Sequence, residues 1–289
     1  MKGGHGMRFW TAVHLKIQLP LMVLMVIVAW VLRRVLKNKE ERVRMIPFQI
    51  VAAVIAVLEI VKQVKSLSDG YDLWHLPLHV CSIITFLLPV VAFYRGRYQQ
   101  SLRGVAAAFT AGLIVLMLVY PNGIYSDSAL LGTFQSFGYF HITVFHFLAV
   151  FAGFLIFALD LHTPQPRSDM KAACAVMLCY CAVASVVANV LKINFHNFYR
   201  CILDPIEQLR LWFCAHLGAF GGQALYVFLF SLVNVSGVLL CYGIYCLLCR
   251  AKQRFSRQQQ ATLSDDEKVL TAAGEILKEH QAAFEELAK

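Results

Sequence analysis

Glu59, His79, Cys81, His141, His146, Asn189 and Asn194 interrupt long apolar stretches that otherwise carry almost no charge. Their types suit acyl chemistry. A cysteine served by a histidine can attack a carbonyl as thiolate, and an asparagine amide can donate to the oxyanion that develops. A carboxylate in hydrocarbon costs roughly 3 kcal/mol or more unless it is paired or lines a polar cavity. Lys62 follows Glu59 by three residues, so the two share a helix face and can pair. The nine cysteines are an odd number and form no paired CxxC repeats beside histidine pairs. Neither a zinc site nor a disulfide framework is expected from them. No metal and no cofactor is expected.

Helix geometry limits which of these residues can meet. Two residues apart on a regular helix is a rotation of about 200°, so His79 and Cys81 cannot both face one cavity unless Pro77 leaves that stretch irregular. His141 and His146 differ by about 140°, so at most one of them is the central base. His146 lies deeper along its segment, whereas His141 sits among the aromatics Phe137, Tyr139 and Phe140. Asn189 and Asn194 can orient an imidazole, donate to an ester, or cap a helix end.

The elements that position these groups are membrane helices. The chain has 289 residues, 59% hydrophobic and 15% charged, with mean hydropathy +0.62. That composition excludes an ordinary soluble domain, and no alternating ten-residue strands of a membrane barrel are present. Apolar runs near 17–32, 46–61, 76–93, 104–120, 137–159, 172–190 and 223–249 predict an all-α polytopic fold with seven transmembrane helices. Arg33-Arg34 and a basic loop follow the first run instead of a small-residue cleavage site, so it is expected to be retained.

Basic residues set the expected orientation. One set of loops holds 15 of them, from Arg33 to Arg257, and the opposite set holds eight. By the positive-inside rule the N-terminus is outside and the C-terminus cytoplasmic, which places the polar residues toward the outer leaflet. The formal charge of +9 is then a topology signal and a means of holding anionic headgroups, with no call for nucleic acid.

Two domains are expected, a membrane domain over 1–250 and a cytoplasmic tail over 251–289. Within the first, 191–222 is rich in aromatic residues and suits an interfacial segment folded over the helices. In the tail, Ser264 and Glu267 form a capping-box pattern that predicts a helix start. Val269, Ala273, Ile276, His280, Ala283 and Leu287 then recur at three-to-four spacing, a face through which copies of the chain can self-associate.

Glu59, LPLHVC at 76–81, YPN at 120–122, the segment around His141 and His146, and the Asn189 to Phe195 stretch together resemble the YwaF-type integral membrane proteins of bacteria. That family is related to animal ether-phospholipid acyltransferases, and the resemblance covers roughly 46–248. It implies a seven-helix membrane fold and lipid acyl transfer or ester cleavage with a Cys or Thr nucleophile and a histidine on separate helices. The chain departs from the animal pattern at Leu78, where those enzymes carry the cysteine before the histidine. The leading expectation is a multi-pass bacterial plasma-membrane enzyme acting on phospholipid acyl chains at the outer leaflet. Cys81 is its candidate nucleophile and His146 its base, assisted by His79. Glu59, His141, Asn189 and Asn194 are the candidate substrate-binding and orienting residues. The alternative is a transporter or sensor that uses Glu59 and the buried histidines.

Overall fold

The computed structural model describes residues 10–288, and only the backbone of 260, 261, 263–265, 279 and 282–284. Among the described residues there are helices and turns and no strand. The helices are α1 (His14–Leu36, opening with a π-helical turn), α2 (Glu41–Ser68), α3 (Ser82–Phe93), α4 (Gln99–Val119), the short α5 (Asp127–Leu131), α6 (Phe137–Ala158), α7 (Pro166–Leu191), α8 (Asp204–Glu279) and the terminal α9 (Gln281–Leu287). Six of these, α1, α2, α4, α6, α7 and α8, are long and apolar enough to cross a membrane.

The run expected as the third crossing forms a helix of only 12 residues. Pro77 supplies no backbone donor and restrains the residue before it. The chain makes a tight turn there, with Leu78 N donating to Leu76 O at 2.7 Å, and helix begins only at Ser82. His79 and Cys81 therefore lie on irregular backbone.

The expected last crossing and the tail also differ from the sequence reading. Helix α8 starts at Asp204 inside the aromatic segment and breaks at Gly218 (φ 76°, ψ 161°), where a residue with a Cβ is strained. It then continues to Glu279, so Ser264 lies within helical backbone and starts no helix. The side chains of Ser264 and Ala283 lie outside the described residues. The chain separates into two compact units, one ending at Tyr245 and the other beginning at Cys246.

In the first unit α6 is the hub, packed against α1, α2, α4 and α5, while α4 also lies against α3 and α7. Small residues permit the close approach. Val105, Ala106, Ala107 and Ala108 of α4 are buried, as are Ala149, Ala152 and Gly153 of α6. Gly153 faces Thr110, where an added Cβ would lie 2.9 Å from that residue's Cβ. The outward faces, such as Val23, Leu24 and Ile27 of α1, are exposed and apolar, as lipid-facing surfaces are.

Opposite the Glu59 end, three arginines grip the end of α6. Arg33 donates to Ala158 O and Asp160 Oδ2, each at 2.6 Å, Arg44 to Leu159 O at 2.8 Å, and Arg103 to Leu161 O at 2.8 Å. Guanidinium groups suit this place because the last carbonyls of a helix have no intrahelical donor and carry partial negative charge. Next to them Asp169 is fully buried. Its Oδ2 accepts from Gln165 N at 2.7 Å and from the Tyr242 hydroxyl, and lies 3.1 Å from His162 Nε2.

Gly104 is the residue of α4 that makes room for this carboxylate. A Cβ there would lie 2.4 Å from Asp169 Cγ. Gly104→Ala is expected to destabilise the protein by about 1–3 kcal/mol through overpacking. Thermal unfolding in detergent should show this as a lower Tm, and an unchanged Tm would contradict the close packing.

Candidate functional site

Glu59 is the centre of the polar end of the bundle. Apolar neighbours on α2 carry it inward until it is 7% exposed, and one turn later Lys62 and Gln63 follow on the same face. Lys62 Nζ lies 2.6 Å from Glu59 Oε1, and Gln63 Nε2 donates to that oxygen at 2.7 Å. From α6, His141 Nε2 stands 3.4 Å from Oε2. The pairing of Glu59 with Lys62 read from the spacing is present, and the second oxygen is turned toward an imidazole on another helix.

The turn after α2 is fastened to the same residues. Gln63 Nε2 also donates to His75 O at 2.9 Å, and its Oε1 accepts from Tyr71 OH at 2.7 Å. Burial and the Glu59 carboxylate push the Tyr71 hydroxyl above the usual tyrosine range, so it remains a neutral donor. Ser66 Oγ meets His75 Nδ1 at 2.7 Å. Asp72 caps the turn by accepting from Trp74 N at 2.8 Å. The indole of Trp74 is thereby set 4.6 Å, centroid to centroid, from the ring of His79, and buried Phe195 touches both rings.

The proton arrangement of His146 is legible from its backbone contact. His146 Nδ1 lies 2.6 Å from Ile142 O, which can only accept, so Nδ1 carries the hydrogen and Nε2 the lone pair. His79 is turned toward the backbone of Trp74, and its Nε2 is buried without a partner. His146 is within electrostatic reach of both His141 and His79. Three imidazoles and a carboxylate therefore gather at one end of the bundle.

Cys81 is a free thiol just before the first turn of α3. Among the described residues no histidine is hydrogen-bonded to its sulfur. Tyr180 of α7 stands nearby, within electrostatic reach, and its hydroxyl donates to Leu78 O at 2.9 Å, holding the irregular 76–81 backbone in place.

Asn189 and Asn194 are engaged by the backbone of the chain after α7. Asn189 Nδ2 donates to Ser185 O and Phe198 O, and its Oδ1 accepts from Gln223 Nε2 at 2.9 Å. Asn194 Oδ1 accepts from Arg200 N at 3.2 Å. Both hold the loop, and neither caps a helix end: Lys192 ends α7, and Asn194 makes no side-chain cap bond to the short turn that follows it.

The sequence reading passed over Gln63, His75, Tyr180, His196 and Asn234. Gln63 was within reach of it, since it follows Glu59 by four residues on one helix. Asn234 is a polar residue inside an apolar run, a signal that could have singled it out, but nothing in its spacing names His196 as its partner. Among the described residues no group of His, Cys, Asp and Glu forms a metal site.

A family model described as the TMEM164 family matches residues 9–242. The chain belongs to the TMEM164 family, a family of membrane proteins. The matched span holds every residue of the polar end described above, so the site lies within the part that this TMEM164-family chain shares with its relatives. Neither a curated protein nor a solved structure matches the chain.

Pairing of Glu59 with Lys62 has a measurable consequence. Lys62→Met leaves a buried carboxylate without its cation and is expected to cost about 3 kcal/mol. The double variant Glu59→Gln/Lys62→Met removes both charges and should regain most of that loss. Equal Tm values for the single and double variants in detergent would show that the single variant's loss does not come from an unpaired Glu59 carboxylate.

Proposed function

We propose that the chain is a multi-pass membrane enzyme that transfers or hydrolyses the acyl chain of a phospholipid at the Glu59 end of the bundle. The observation that carries this reading is the gathering of His146, with its lone pair on Nε2, His141, His79 and a free cysteine at one level. Resemblance to YwaF-type proteins, and through them to ether-phospholipid acyltransferases, points the same way.

Orientation follows from charge. Arg33, Arg44 and Arg103 lie at the opposite end from Glu59, and by the positive-inside rule that end is cytoplasmic. The site then faces the outer leaflet of a plasma membrane, with α3 and the irregular 76–81 segment together making a seventh crossing. The C-terminal helix offers an apolar face for self-association.

In this reading Cys81 Sγ attacks the ester carbonyl while its proton passes to an imidazole, with His146 or His79 as the acceptor. As the ester C–O bond breaks, the departing lysolipid oxygen takes that proton. Water or a second lipid hydroxyl then attacks the acyl thioester and releases the thiol. Thiol and imidazole would draw together on substrate binding, as catalytic hydrogen bonds commonly do.

Incubation with defined phospholipids, followed by mass spectrometry of the Cys81 peptide, tests the reading. A covalent acyl group on Cys81 and loss of product in Cys81→Ala are expected. Wild-type turnover in Cys81→Ala would remove the cysteine from the mechanism. Deleting 258–289 should leave turnover intact, whereas a sensor that signals through this helix would lose its function.

A second reading rests on the succession Lys62, Glu59, His141, whose polar atoms lie 2.6 and 3.4 Å apart. Such a succession can relay protons in a transporter. Proton-coupled uptake in proteoliposomes that Glu59→Gln abolishes would favour it over the enzyme.

A further inference from the structure

The loop between α7 and α8 has an unusual backbone. His196 (φ 46°, ψ 40°) and Asn197 (φ 63°) are consecutive left-handed residues, just beyond the left-handed Lys192 that ends α7. Each costs on the order of 1 kcal/mol, and such positions persist only where their surroundings over-determine them. Tyr226 OH donates to Asn197 O at 2.6 Å, and Gln223 Nε2 donates to Phe198 O at 2.9 Å and Tyr199 O at 3.2 Å. Phe195 and Phe198, on either side of the pair, are buried.

What this strained turn achieves is the placement of one ring. His196 Nε2 lies 2.7 Å from Asn234 Oδ1. The amide of Asn234 is itself fixed, because its Nδ2 donates to Phe230 O at 2.8 Å, so the atom that faces the imidazole is the acceptor. His196 Nε2 must therefore carry the hydrogen, and the lone pair falls on Nδ1. Among the described residues nothing hydrogen-bonds Nδ1. The Nε2 atom of His79 is sealed without a partner, and His196 Nδ1 is not sealed in this way.

The ring also faces the site. Its centroid is 6.0 Å from that of Tyr180, the residue that pins Leu78 and lies within reach of Cys81. His79 is within its electrostatic reach, and Lys62 lies within reach of His79 in turn. Phe198 and Phe230 form the remaining walls, at 5.8 and 5.6 Å.

We propose that His196 is a proton-transfer residue of this site and that Asn234 is the positioning residue that keeps its lone pair on Nδ1. The identity of the proton donor rests on the acyl-transfer reading above. Nδ1 takes the hydroxyl proton of the acyl acceptor, water or a lipid alcohol, as that oxygen bonds the acyl carbon. As the C–S bond to Cys81 breaks, the departing thiolate takes the proton back. The ring ends neutral, as it began.

The test uses the full chain in nanodiscs. His196→Asn tolerates the left-handed backbone and should still accept an acyl group on Cys81 while transferring it about a hundred-fold more slowly, the usual size of a proton-transfer contribution. Asn234→Leu should slow transfer, and Asn234→Asp should displace the pH profile of the transfer step, which a merely structural asparagine would not do. Nitrogen-15 NMR of the histidine rings, assigned with His196→Asn, should show the Nε2–H form in the wild type and a mixture of forms in Asn234→Leu.

Wild-type transfer in His196→Asn, or a ring protonated on Nδ1, would overturn the proposal. If the wild type acylates Cys81 with no lipid, the acyl-transfer reading falls instead, and the NMR form still decides the assignment of His196.

Discussion

An ionised carboxylate inside hydrocarbon must bring its own counter-charge, and at Glu59 that requirement organises a whole end of the molecule. The carboxylate holds Lys62 and Gln63 on its own helix and faces His141 on another. Gln63 passes the constraint on to Tyr71 and to the carbonyl of His75, so the turn after α2 cannot move independently of the carboxylate. Trp74, three residues after Tyr71, in turn contacts His79. One buried charge therefore reaches, through hydrogen bonds, the backbone of the turn and one ring contact, a histidine on a different segment.

A second group of bonds works from the other side. Asn189, Gln223 and Tyr226 fasten the loop after α7 by its carbonyls, and the loop answers with Phe195 against Trp74 and His79 and with His196 against Asn234. The small-residue packing of α4 on α6 keeps the two sides at a fixed spacing. At the far end, arginines from α1 and α2 bond the carbonyls that finish α6, and one from α4 bonds Leu161 O just beyond them. Because α6 also carries His141 and His146, anchoring its far end fixes the depth of both rings.

Much of the helical framework was legible in the sequence because hydropathy reports it directly: α1, α2, α4, α6 and α7 each overlap an expected span. The short α3 was not, because apolar content in 76–93 continues through Pro77 although helix does not. The start of α8 inside the aromatic segment and its passage through Ser264 were missed for a related reason. Cap-like residues mark a helix end only where the backbone in fact turns. Within the site, neighbours on one helix could be read from spacing, as Glu59 and Lys62 were. Partners across helices could not. His196 and Asn234 are separated by 38 residues, and chain position does not reveal which rotation brings them face to face.

The twelve residues of α3 reach about 18 Å, whereas a bilayer's hydrocarbon is about 30 Å thick. In the proposed seven-crossing arrangement, lipid beside α3 would thin or step down to meet the irregular backbone at 76–81, at a modest cost for each ångström. The glycerol ester of a neighbouring phospholipid, which normally rides at headgroup level, would ride lower in that dent. Depth in the bilayer would then select which bond of the lipid comes level with the imidazoles, before any pocket grips the molecule.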